Sequence, residues 1–104
     1  MSQEEFPQAK IQSAIALFSG GQVQEALVDI ETLINENPNQ ALLFNISGAF
    51  YKEIGKLDEA VKRFEKAIAI KPEYAEAHNN LGVALKDLGQ LDEAVKCYDK
   101  ALAI

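Results

Sequence analysis

The sequence predicts an all-α fold of six helices paired into three antiparallel hairpins, and three observations predict it. The chain repeats itself every 34 residues, its apolar residues recur at helical spacing in two runs per period, and glycine or proline punctuates those runs. A shift of one period aligns Gly21, Gly55 and Gly89, then Glu25, Glu59 and Glu93, then Ala26, Ala60 and Ala94, with no insertion. It also groups Val23, Leu57 and Leu91; Leu17, Tyr51 and Leu85; Ile30, Phe64 and Tyr98; and Pro38 with Pro72. One such column would mean little. This many in a single register define a repeated supersecondary unit.

Each element follows from the pattern inside a period. In the third, Ala77, Leu81, Ala84, Leu85 and Leu88 make one helical stripe, and Leu91, Ala94, Val95, Tyr98, Ala101 and Leu102 make a second. Gly89 parts them, because glycine takes the positive φ of a helix C-terminus without a Cβ clash. Asp92 and Glu93 then fall in the first turn of the next helix, where negative charge suits the dipole. Lys71-Pro72 ends the preceding hairpin, since proline lacks the amide proton a continuing helix needs. The same punctuation predicts helices over about 7–20, 22–36, 40–54, 58–70, 74–88 and 92–104. The repeats occupy about 7–40, 41–74 and 75–104 of one domain spanning 1–104.

Small residues explain how such hairpins close. Ala14, Gly48 and Gly82 stand mid-way along the first helices, and Ala26, Ala60 and Ala94 early in the second ones. A mid-helix glycine costs about 1 kcal/mol relative to alanine. Close approach of two helix axes is the gain that offsets it.

Ala75-Glu76-Ala77-His78-Asn79-Asn80-Leu81-Gly82, followed by Leu88-Gly89-Gln90-Leu91-Asp92-Glu93-Ala94 and Tyr98-Asp99-Lys100-Ala101, resembles a tetratricopeptide repeat. Asn45 to Pro72 is similar through Gly48, Tyr51, Gly55, Ala60, Phe64, Ala67 and Pro72. The first unit diverges, with Ala14 for the usual glycine, Ile30 for the aromatic and Leu33 for the alanine. The resemblance implies a right-handed solenoid whose first helices line a concave groove that binds peptides or helices of partner proteins. It is specific to fold and silent on the partner.

Helical phase supplies candidate groove residues. The face of each first helix opposite its packing stripe carries Ile11, Ile15 and Phe18 with Gln8 and Gln12; Leu42, Asn45, Ile46, Ala49 and Lys52 with Glu53; and Asn79, Asn80, Val83 and Lys86 with Glu76 and Asp87. Polarity rises from the first set to the last. Relatives of the chaperone-adaptor type hold a peptide's C-terminal carboxylate with Lys, Arg and Asn, each charge-assisted bond contributing about 1.5 to 3 kcal/mol. Here the corresponding positions carry Ile11, Ile15, Ile46 and Glu76, and only Asn80 matches. A ligand presenting an apolar helix face fits these residues better than a carboxylate does. The apolar patch of Ile11, Ile15 and Phe18 has two other readings: packing on the segment 1–6, or on a second copy in a homo-oligomer. Val95, Tyr98 and Leu102 at the far end have no capping helix after them, as in a piece of a longer array or a chain that pairs end to end.

The rest of the sequence excludes more than it offers. A net charge of -6 and a pI near 4.7 lack the basic surplus that holds nucleic acid. No apolar run approaches the roughly 20 residues that insert into a membrane. A lone cysteine, Cys97, goes with a reducing, cytoplasmic setting. His78, the only histidine, reads as a packed or hydrogen-bonded side chain, and Asp58-Glu59 and Asp92-Glu93 as first-turn charges rather than catalytic pairs. There is no Cys/His quartet, calcium loop or phosphate loop, so no cofactor and no enzyme chemistry is expected in this segment. Two functions follow: a protein-interaction scaffold, or the N-terminal recruiting or oligomerisation module of a larger enzyme such as a transferase.

Overall fold

A computed structural model describes residues 6–104. The described residues form six α-helices and no strand: α1 (Gln8–Ser19), α2 (Val23–Glu36), α3 (Ala41–Glu53), α4 (Leu57–Ile70), α5 (Ala75–Asp87) and α6 (Leu91–Ala103). They pair as the hairpins α1–α2, α3–α4 and α5–α6. The chain divides into two compact units, one ending at Pro38 and one spanning Asn39–Ile104.

The turn inside each hairpin is the same object three times over. Gly21, Gly55 and Gly89 have φ of 90°, 84° and 85°, a region closed to side chains with a Cβ. The amide of Gly89 donates to the carbonyl of Lys86 and that of Gln90 to Leu85, the double bond of a Schellman motif that satisfies otherwise orphaned helix carbonyls. Gln22, Lys56 and Gln90 then occupy the N-cap positions with no side-chain cap. Glu25, Asp58 with Glu59, and Asp92 with Glu93 place negative charge in the first turns of α2, α4 and α6, as the sequence predicts. Between α4 and α5 the chain turns at Lys71-Pro72-Glu73-Tyr74, closed by a bond from the Tyr74 amide to the Lys71 carbonyl.

Within the first unit Ala14, Ala26 and Ile30 have no exposed surface. In the second, α4 packs against both α3 and α5, and its fully buried Phe64 joins Ala60, Leu81, Ala84, Leu85 and Ala94 in a core cluster. The glycines in the first helices make this contact possible. A Cβ on Gly48 would lie 2.5 Å from Cε1 of Phe64, and one on Gly82 2.7 Å from Cε1 of Tyr98, both inside van der Waals contact. The Phe64 and Tyr98 rings therefore rest directly on the backbones of α3 and α5. Tyr98, expected at an unshielded edge, is half-buried for this reason. Arg63 ties α4 to α3 on another face, donating to Ser47 Oγ at 3.3 Å and stacking 5.3 Å from the Tyr51 ring centroid.

Candidate peptide-binding face

On the second unit, the face formed by α3 and α5 is organised by a directed chain of hydrogen bonds. Asn80 Nδ2 donates to Asn45 Oδ1 at 3.0 Å, and Asn45 Nδ2 donates to Tyr74 Oη at 3.4 Å. Asn45 is 3% exposed and bridges two helices, so it is a structural keystone rather than the open ligand contact that helical phase predicts. Burial, then the Glu76 carboxylate, raises the Tyr74 hydroxyl above its ordinary range, while the bond from Asn45 opposes this. The hydroxyl thus keeps its proton at neutral pH and has it available to donate. Sequence reasoning missed Tyr74, and the signal was there: it is an aromatic residue where the preceding period has Gln40.

Around this chain the second-unit candidates sort by exposure. Leu42, Ile46, Ala49, Val83 and Asn80 are half-buried, and Asn79 and Lys86 are exposed. Lys52 is half-buried beside Glu53, its ammonium 3.6 Å from that carboxylate. Leu42 also lines an open cleft with Gln40, Ile70, Lys71 and Tyr74. There the Lys71 ammonium sits 5.0 Å from the centre of the Tyr74 ring. The result is an apolar strip of four side chains with a neutral amide and hydroxyl row beside it.

On the first unit, Ile15 is 36% exposed and Phe18 half-buried, whereas Ile11 is 4% exposed. Ile11 is therefore core and not part of an open face. Packing on the segment 1–6, one of the readings from sequence, falls for residues 1–5 outside the described residues.

The candidate chemical groups are engaged elsewhere. His78 is 6% exposed, and its Nε2 lies 2.9 Å from the Pro72 carbonyl oxygen. A carbonyl only accepts, so Nε2 carries the proton and donates it. Burial, then Glu93 and Glu65, raises the Cys97 thiol above its ordinary range, which lowers its thiolate fraction at neutral pH and makes it a poor nucleophile. Among the described residues no His, Cys, Asp and Glu group is arranged to hold a metal ion, and no helix is long and apolar enough to cross a membrane.

Three helix hairpins in one repeated register, two of them with a ring seated on glycine backbone, define a helical-repeat interaction module. Residues 48–89 match the family model described as TPR repeat and residues 75–104 the one described as Tetratricopeptide repeat, together more than half of the chain. The chain belongs to the tetratricopeptide repeat family.

Solved structures agree. The second tetratricopeptide domain of Spaghetti (RPAP3), solved bound to the HSP90 peptide SRMEEVD, is 26% identical with a TM-score of 0.85 over 91% of this chain and 88% of that one. MamA is 32% identical with a TM-score of 0.86 over 92% of this chain, which spans 56% of MamA. The first tetratricopeptide domain of Spaghetti, at 23% identity and a TM-score of 0.87, shares the fold. No curated protein matches the chain.

Proposed function

We propose that the chain is a protein-interaction scaffold whose α3–α5 face holds a partner's apolar helix face, with no catalysis in this segment and in a cytoplasmic setting. The observation that carries this reading is the strip of Leu42, Ile46, Ala49 and Val83 beside the Asn80–Asn45–Tyr74 chain. Apolar anchors at helical spacing desolvate against such a strip. Asn80 spends one N–H on Asn45 and keeps the second, with its carbonyl, for a ligand's polar flank.

The Spaghetti domain holds SRMEEVD, a peptide rich in carboxylates. This chain is poorly equipped for that ligand. Lys52 already has Glu53 beside it, and Glu76 stands near Tyr74. Two probes separate the readings in isothermal titration: a 16-residue amphipathic helix with leucine at i, i+3, i+4 and i+7, and SRMEEVD itself. The helix is expected to bind in the micromolar range, about tenfold or more tighter than SRMEEVD. Ile46→Glu with Val83→Glu should weaken the helix by about tenfold or more while helical circular dichroism is retained. Tighter binding of SRMEEVD, or a double variant that binds the helix normally, contradicts the proposal.

A further inference from the structure

The strip on the α3–α5 face has two unlike ends. Leu42, in the first turn of α3, and Tyr74, the N-cap of α5, wall one cleft, so both helices begin at the same end of the strip. That cleft, of about 420 Å³, has Leu42, Ile70 and the Tyr74 ring as its apolar wall, with Lys71 and Gln40 beside them. At the other end Glu53 and Asp87 are the last residues of α3 and α5, preceded by Lys52 and Lys86.

The cleft offers hydrogen-bond donors. The Tyr74 hydroxyl accepts from Asn45, and among the described residues its proton goes to no acceptor. Burial and the Glu76 charge keep that proton in place at neutral pH. The Lys71 ammonium lies 5.0 Å from the centre of the Tyr74 ring and is in no ion pair among the described residues. An apolar side chain alone would fill the cleft and strand the hydroxyl proton. Acceptors carried next to apolar side chains satisfy wall and donors together, and the last turn of an amphipathic helix is such a group. Four backbone carbonyls there have no intrahelical partner, and they form the negative end of the dipole.

We propose that the partner helix lies antiparallel to α3 and α5, its last turn seated in this cleft and its free carbonyls taken by the Tyr74 hydroxyl and the Lys71 ammonium. This rests on the α3–α5 face being the binding face. It adds the direction of the bound helix and the residues that read it.

The reverse direction is worse at both ends. It brings the unpaired amides of the helix's first turn to Lys71, which can only donate. Its carbonyls would meet an exposed Lys86 flanked by Asp87, with Lys52 already held by Glu53 at 3.6 Å. In the proposed direction Glu53 and Asp87 stand where those amides arrive, and negative charge there suits the dipole. Glu73 and Glu76 also stand near the cleft, and the positive ends of the α3 and α5 dipoles counter them.

The test uses the 16-residue leucine-patterned helix, acetylated and amidated so that its ends carry no charge. It is made with a nitroxide on its first or its last residue and titrated into the isotope-labelled 104-residue chain. The two label positions lie about 22 Å apart, so each quenches a different set of amide signals. The label on the last residue should quench Leu42, Lys71 and Tyr74, and the label on the first Glu53, Lys86 and Asp87. Tyr74→Phe and Lys71→Glu should each weaken binding by about threefold or more. Removing the peptide's last turn should abolish both effects, whereas removing its first turn should keep them. That dependence separates contact with the helix end from a loosening of Asn45 by Tyr74→Phe. Quenching with the two sets exchanged, or from either label at both ends, overturns the direction and leaves the face in place. Variant effects that survive loss of the last turn overturn the role of Tyr74 and Lys71. No binding at all overturns the proposal together with the reading beneath it.

Discussion

Replacing Gly82 with leucine is expected to lower the unfolding free energy by about 3 kcal/mol, because overpacking a close helix contact forces backbone apart or side chains off rotamer. A Cβ at this position already falls 2.7 Å from the Tyr98 ring, and leucine adds three more carbons behind it. Tyr98 is half-buried and can tilt toward solvent, but the tilt strips the ring from its seat on α5. The α5–α6 hairpin has no second contact of the same kind to absorb the change. In thermal unfolding the loss should appear as a midpoint lower by about 10 to 20 °C for a chain of this size. An unchanged midpoint means the ring does not sit on this glycine.

The second large effect is a coupling. Gly48 faces the fully buried Phe64, and the first repeat places fully buried Ala14 and Ile30 in the same two columns. The chain thus contains two solutions of one packing problem: glycine under an aromatic ring, or alanine under a branched aliphatic. Gly48→Ala alone gains up to about 1 kcal/mol of helix propensity but sets a methyl 2.5 Å from a ring that has nowhere to go, for a net loss of about 1 to 3 kcal/mol. Phe64→Ile alone leaves a void and costs a similar amount. Made together they reproduce the first repeat's pairing, and urea unfolding should show the double variant about 1 to 2 kcal/mol more stable than the sum of the singles predicts. Additivity within about 0.5 kcal/mol would say that the two columns do not touch.

Period, punctuation and small residues make the hairpins legible in the sequence. The helix ends observed at Ser19, Glu53 and Asp87 each come just before the glycine that the repeat aligns, because positive φ is a local property of a residue without a Cβ. The face was less legible, since phase fixes the direction of a side chain and not what lies over it. Asn45 and Asn79 share a column, yet Asn45 is buried and Asn79 exposed. The difference is that α5 packs over α3, and Asn80 reaches Asn45 from it. Ile11, in the same column, is buried as well, so a column read as open holds two core residues of three. Tyr74 escaped for another reason. It is the first residue of the helix predicted over 74–88 and the N-cap of α5 in the structure, and its role follows from a contact across 29 residues that phase along one helix does not show.

A partner's apolar helix lying on the α3–α5 face would be seen in the amide and side-chain shifts of an isotope-labelled chain titrated with the leucine-patterned helical peptide. Shifts are expected to concentrate at Ile46, Ala49, Asn79, Asn80 and Val83, with the Asn80 side-chain amide among the largest. Shifts confined to α4 and α6, or none at saturating peptide, would contradict it.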